Sequence, residues 1–228
     1  MKHRFDVEAL DLLRRAMTAH LWHSGAVAIN LDSPFKLVSG NYSPIYVNCR
    51  RLISSPSFVD LFCSSVRILS ESSHLEVDVI AGGETAGIPF AAFLAKHLGA
   101  PLVYVRKAAK EHGLRAQVEG DVQEGSRVLL VEDLITDAGS KLAFVEGLQR
   151  AGLRVEHVVV VFDREQGGRA ALAARGIQLH ALSDMSMVLA AAGDLNLLSS
   201  EQLSAVRLYL SSPSDWHRRA GLPFQEAV

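Results

Sequence analysis

Apolar positions at helical spacing open the chain. Across residues 6–22, Val7, Leu10, Leu13, Met17 and Leu21 fall near one face, with Arg14, Arg15 and His20 elsewhere. That pattern predicts an amphipathic helix. His20 and His23 stand at its end and read as solvent residues rather than ligands. Residues 57–70 carry the same period, with Phe58, Leu61, Phe62, Val66 and Leu69 turned inward. Then the period changes. Residues 77–81, 102–105, 128–131, 155–162 and 177–182 are short apolar runs rich in β-branched side chains, and they predict buried strands. Helical patterns lie between several of them, at residues 88–98 and where Leu142, Val145 and Leu148 share a face. Alternation of this kind across residues 77–182 predicts an α/β fold, its parallel sheet covered on both faces.

The ends of the chain follow other rules. Residues 34–53 contain two short extended runs flanking Ser39, Gly40 and Asn41, a turn triplet, and predict a β-hairpin. Residues 185–192 read as a helix stopped by Gly193. Ser199, Ser200, Glu201 and Gln202 spell a capping box that opens a helix over residues 203–210. The tail from Ser211 carries Pro213, Trp216 and Pro223 and is expected to pack as irregular structure.

Composition narrows the possibilities. The 228 residues suffice for one large domain, and 49% apolar content supports a substantial core. A net charge of −2 argues against a general nucleic-acid binder. Cys49 and Cys63 have no metal-ligand spacing, and two cysteines in a chain this size suggest a reducing compartment without a disulfide. Asp6, Glu8 and Asp11 come early and no apolar segment follows them as in a signal peptide. No apolar run reaches the roughly 18 residues of a membrane span. A cytoplasmic protein without membrane or nucleic-acid partners is expected.

Chemistry concentrates in residues 127–141. An apolar run ends in two acids, Glu132 and Asp133, followed by a turn of small residues, Thr136, Asp137, Ala138, Gly139 and Ser140, and then a helix. Ligands of open α/β sheets bind where strands end and helices begin. The unpaired N–H groups of the first helical turn attract phosphate, and acids before the turn can accept hydrogen bonds from sugar hydroxyls. The unit suits a ribose phosphate, although an ordinary βα loop with an Asp cap reads the same way. Neither G-x-x-x-x-G-K-[ST] nor G-x-G-x-x-G occurs. A second concentration lies at residues 106–115, where Arg106, Lys107, Lys110 and Arg115 accompany Glu111 and His112, with Gly113 and Gly120 as hinge candidates. Gly82 and Gly83 before Glu84, Thr85 and Ala86 permit close approach of backbone to an anion.

Together these strings resemble the type I phosphoribosyltransferases, and the orotate phosphoribosyltransferases among them. Residues 128–140 are similar to the family's phosphoribosyl-diphosphate signature, with Ala138 where glycine is commoner. Phe35, Leu37, Ser39, Gly40, Ser43, Pro44 and Tyr46 resemble the family's N-terminal hood, with Val38 in place of its lysine and Lys36 two residues earlier. Arg106, Lys107, Lys110, His112 and Gly113 resemble its mobile catalytic loop, and Asp163 and Arg164 its strand-end pair. Thr85 and Ala86 stand where several members have an aromatic–lysine pair.

The resemblance implies a type I fold with a hood over residues 1–55, a core over 56–210 and a tail over 211–228. It implies transfer of the phosphoribosyl group of 5-phosphoribosyl 1-diphosphate to orotate, a step of pyrimidine synthesis, in a homodimer with shared sites. Glu132, Asp133, Leu134, Ile135, Thr136, Asp137, Ala138, Gly139 and Ser140 would hold the ribose 5-phosphate part of phosphoribosyl diphosphate, Thr85 would contact its pyrophosphate, and Lys36 would be a further contact to the same substrate. Arg106, Lys107, Lys110 and His112 would close over the diphosphate and, with Asp133, form the catalytic set. Mg²⁺ would be bound through the diphosphate rather than by a cage of protein side chains. Arg164, Thr136 and the backbone of Tyr46 and Val47 would orient orotate. A transferase for another base, or a non-catalytic sensor of phosphoribosyl diphosphate, shares most of these features.

Overall fold

The computed structural model describes residues 2–37, 39–107 and 117–225. Helix α1 (Lys2–His23) leads into a small antiparallel unit. There β1 (Val27–Ile29) pairs with β4 (Ile45–Val47), and between them β2 (Phe35–Lys36) pairs with β3 (Tyr42–Ser43). The register of the second pair, Phe35 with Ser43 and Lys36 with Tyr42, is that of the expected hairpin. A 3-10 turn (Cys49–Ser54) follows, then α2 (Pro56–Ser72), whose start is fixed by Ser55 accepting from the Phe58 N–H.

The core alternates strand and helix from there. In chain order come β5 (Val79–Gly83), α3 (Gly87–Leu98), β6 (Leu102–Val105), β7 (Val118–Glu119), β8 (Arg127–Ile135), α4 (Gly139–Arg150), β9 (Arg154–Asp163), α5 (Gly168–Ala173), β10 (Gln178–Asp184), α6 (Met185–Asp194), α7 (Ser200–Ser211) and α8 (Pro213–Ala220). One six-stranded sheet runs in the order β10-β9-β8-β5-β6-β7 and is parallel except where β7 meets β6.

Side chains along β8 alternate between two apolar layers. Leu129 and Val131 join Phe62, Phe90 and Val159 on the side of α2 and α3. Val128 and Leu130 join Val158, Val160 and, from α4, Phe144 and Leu148 on the other. Val27, Ile45 and Cys49 belong to the first layer, so the N-terminal unit is packed onto the core through α2.

Two expectations change. The central strand does not stop at residue 131: it pairs with β9 as far as Ile135 opposite Asp163, so both acids lie within the ladder. The tail is not irregular, since Pro213 occupies the first turn of α8, where its missing N–H costs nothing. That helix buries Trp216 and His217 against Tyr209 of α7.

Candidate active site

At the carboxyl end of the sheet, β8 delivers the turn of residues 136–140 onto α4. Ala138 takes φ 74°, a left-handed conformation that explains why glycine is the commoner residue there. Asp137 Oδ1 accepts from the Gly139 N–H at 3.0 Å and steadies the turn. The turn is hooked to the next strand end. Arg164 N–H donates to Ile135 O at 3.0 Å, and Gly168 N–H to Thr136 O at 2.9 Å.

Adjacent residues of a strand face opposite sides, and the two acids divide accordingly. Asp133 points toward the 3-10 turn. Its Oδ1 accepts from its neighbour Leu134 N–H at 2.8 Å. Burial and, after it, the negative charge of Asp133 push the Cys49 thiol far above its ordinary range. Glu132 points toward α4, 3% exposed, with Oε2 2.7 Å from Lys141 Nζ. Burial raises the Glu132 carboxyl against the pull of Lys141, and Lys107 is close enough to lower it as well. Its other oxygen, Oε1, is buried without a hydrogen-bond partner. The sequence suggested both acids for the ribose hydroxyls; in the structure only Asp133 is clear of an ion pair, and Glu132 is committed to Lys141.

The turn after β5 flanks this carboxylate. A Cβ on Gly83 would meet Glu132 Oε1 and, at 2.6 Å, the Phe144 ring, and one on Gly87 would meet Glu132 Oε1 and the Val131 carbonyl oxygen, so both positions require glycine. Between them the Glu84–Thr85 peptide is cis and Thr85 is exposed. Glu84 Oε2 accepts from the Lys107 N–H at 2.9 Å, which ties this turn to the start of the basic loop.

Arg106 and Lys107 form the stem of that loop. Arg106 pairs with Glu119 at 3.6 Å, and its N–H donates to Gln117 O. Gln117 Nε2 donates back to Arg106 O, while Arg150 of α4 holds Gln117 Oε1 at 2.7 Å. Lys110, His112 and Gly113 lie outside the described residues, as does Val38. Lys36 is exposed on β2. Tyr46 is 43% exposed, its ring centroid lies 5.4 Å from that of Phe35, and Val47 is paired with Val27.

Arg164 stands beyond β9. Its Nε is buried without a partner, and it opens on a cavity of about 440 Å³ lined also by Met185, Leu189, Arg207 and Leu210. A larger cavity of about 570 Å³ between Leu31, α7 and α8 carries none of the signature residues. The sequence signals therefore converge on the signature turn, the β5 turn, the loop stem and Arg164. Lys141, Gln117 and Arg207 were missed. A lysine on an amphipathic helix reads as a solvated one, and the burial of Lys141 depends on an acid nine positions away, a relation no local period displays.

Comparison with known proteins agrees with this geometry. The family model for the phosphoribosyl transferase domain matches residues 63–176. An orotate phosphoribosyltransferase of Rhizobium meliloti (strain 1021) is 44% identical over 206 residues, covering 88% of each chain. The solved orotate phosphoribosyltransferase of Aeropyrum pernix superposes with a TM-score of 0.66 at 30% identity, over 78% of this chain and 99% of that one. The solved UMP synthase of Leishmania donovani gives 0.72 at 30% identity, over 86% of this chain, which spans only 42% of that longer protein. With a six-stranded sheet of this order, the signature turn at its carboxyl edge and relatives that share most of its length, the chain belongs to the orotate phosphoribosyltransferase family.

Proposed function

We propose that the chain transfers the phosphoribosyl group of 5-phosphoribosyl 1-diphosphate to orotate, giving orotidine 5′-monophosphate and diphosphate. The observation that carries the choice of base is Arg164. Its backbone is bonded to the signature turn at Ile135 O, and its guanidinium borders a cavity with a buried, unsatisfied Nε. A planar guanidinium suits a planar carboxylate. Orotate has one, and an ordinary purine or pyrimidine base has none.

The reaction breaks the C1′–oxygen bond to diphosphate and forms a C1′–nitrogen bond to orotate. As diphosphate departs, C1′ becomes oxocarbenium-like, and the ring nitrogen of orotate attacks in its readily formed deprotonated state. Rate comes from positioning and from cations around the leaving group. The N–H groups of residues 136–140 cradle the 5′-phosphate. Asp133 receives a ribose hydroxyl. Arg106 and Lys107 face the diphosphate from the loop stem, and Lys110 and His112 complete the set from the loop. Thr136 and the backbone of Tyr46 and Val47 border the base. Thr85 and Lys36 are further diphosphate contacts.

The residues fit a substrate-borne Mg²⁺. Mg²⁺ is commonly held through substrate phosphates with one or two carboxylates. Asp133, clear of an ion pair, is the carboxylate that would help to hold it, and the ion would supply positive charge to the departing diphosphate. The enzyme works as a cytoplasmic homodimer. Buried, free Cys49 and Cys63 suit a reducing compartment, and no helix among the described residues is long and apolar enough to cross a membrane.

The test is the loss of orotate absorbance on mixing protein, orotate, phosphoribosyl diphosphate and Mg²⁺. Turnover that requires all of these supports the reading. Tight binding of phosphoribosyl diphosphate without turnover would instead identify a sensor on the same fold.

A further inference from the structure

Glu132 and Lys141 meet where three parts of the site join. Their side chains are 4% and 10% exposed and 2.7 Å apart. Lys141 Nζ also donates to Ser140 Oγ, the last residue of the phosphate turn, at 3.3 Å. Glu132 Oε1 fills the space that Gly83 and Gly87 leave by lacking a Cβ, and these glycines bracket residues 84–86 of the β5 turn. One ion pair thus touches the phosphate turn on one side and the β5 turn on the other. A buried pair of this kind contributes little net stability, because desolvating both ions cancels much of their attraction, whereas removing one partner alone is severe. What the pair supplies is position.

We propose that Lys141 is a positioning residue for phosphoribosyl diphosphate: through Glu132 it fixes the phosphate turn against the β5 turn, and the pair itself does not hold the ribose. Asp133, on the other face of β8, is left to receive the ribose hydroxyls. The inference rests on the reading that this site takes phosphoribosyl diphosphate.

The experiment compares wild type, Lys141→Met, Glu132→Gln and the double variant. Calorimetry with Mg²⁺ gives the Kd for phosphoribosyl diphosphate, and steady-state kinetics give KM for each substrate. Misplacing the two turns should weaken phosphoribosyl diphosphate about 10-fold or more in either single variant. KM for orotate at saturating co-substrate should move far less. In Lys141→Met the loss should deepen as pH rises from about 6 to 9, because an unpaired buried carboxyl packs better protonated. The double variant, which buries no charge, should bind tighter than either single one. A ribose-holding Glu132 predicts the reverse, a double variant no tighter than Glu132→Gln, and that result overturns the proposal. So does wild-type affinity in Lys141→Met. Should Lys141→Met not fold, Glu132→Gln against the double variant carries the same comparison. Failure of the wild type to bind phosphoribosyl diphosphate would instead refute the functional reading.

Discussion

If Arg164 carries the choice of base, as proposed, its removal should separate the two substrates. In Arg164→Ala an orotate carboxylate loses its charged partner, at a cost on the order of 2–4 kcal/mol. The loss should appear in kcat/KM for orotate and spare the Kd for phosphoribosyl diphosphate; an unchanged orotate kcat/KM removes the assignment. Lys36 is a subtler case. It is exposed on β2, two positions before the Val38 that replaces the family lysine, and is predicted to serve in its place. Lys36→Ala should raise KM for phosphoribosyl diphosphate, and adding Val38→Lys should recover part of it. Wild-type kinetics in Lys36→Ala would show that the chain manages without that contact. The place of Arg164 after an apolar run was legible, as was that of the turn after the two acids. The different surroundings of Glu132 and Asp133 were not, because two adjacent acids look equivalent until the strand is known to continue through them. Arg207 was equally hidden, since it reaches the cavity from a helix 43 positions beyond Arg164 in the numbering.

Among elements, those with a local chemical signal were readable. The capping box at Ser199 forms as spelled, with Ser199 Oγ accepting from the Gln202 N–H and Gln202 returning a bond to the Ser199 N–H. Ser199→Ala should cost about 1 kcal/mol and lower Tm by roughly 2–4 °C, while kcat stays near wild type. Elements built by distant partners were not readable. The short β1 exists only because β4 pairs with it, and α8 was obscured by prolines that ordinarily signal a stop. The β9–β10 edge also holds a contact no motif announces. His180 Nε2 lies 3.2 Å from His157 Nδ1. Burial first, then His157 and Arg169, lower the His180 pKa from 6.5 to about 4. The folded state therefore keeps this ring neutral while the unfolded chain protonates it below pH 6.5. Its contribution is complete above that pH and is lost as pH falls toward 4, amounting to about 2 kcal/mol once solvent screening is allowed for. Denaturant melts of His180→Gln should show a shallower decline across that window; a decline identical to wild type would place the acid sensitivity elsewhere.

At the scale of the molecule, the hood and the C-terminal tail are tied together by the chain itself. Asn41 and Gln225 exchange two hydrogen bonds at 2.8 Å, and Tyr42 N–H donates to the buried His217 Nε2 at 3.0 Å. The stem of the basic loop is anchored to α4 through Gln117 and Arg150. The family resemblance implies a homodimer in which part of this loop serves the partner's site. Such concentrated positive charge is well placed if it closes over an anion beside a subunit interface. Lys110 and His112 are then predicted to act in trans, while Asp133 acts on the ligand of its own chain. Lys110→Ala and Asp133→Asn proteins should each be nearly inactive. Mixed under conditions of subunit exchange, they form a dimer with one doubly damaged site and one site in which both residues are native, so activity should return. If the loop acts in cis, every site keeps one lesion and the mixture stays inactive. Mass spectrometry establishes whether mixed dimers have formed. Their presence without recovered turnover would rule out the shared arrangement.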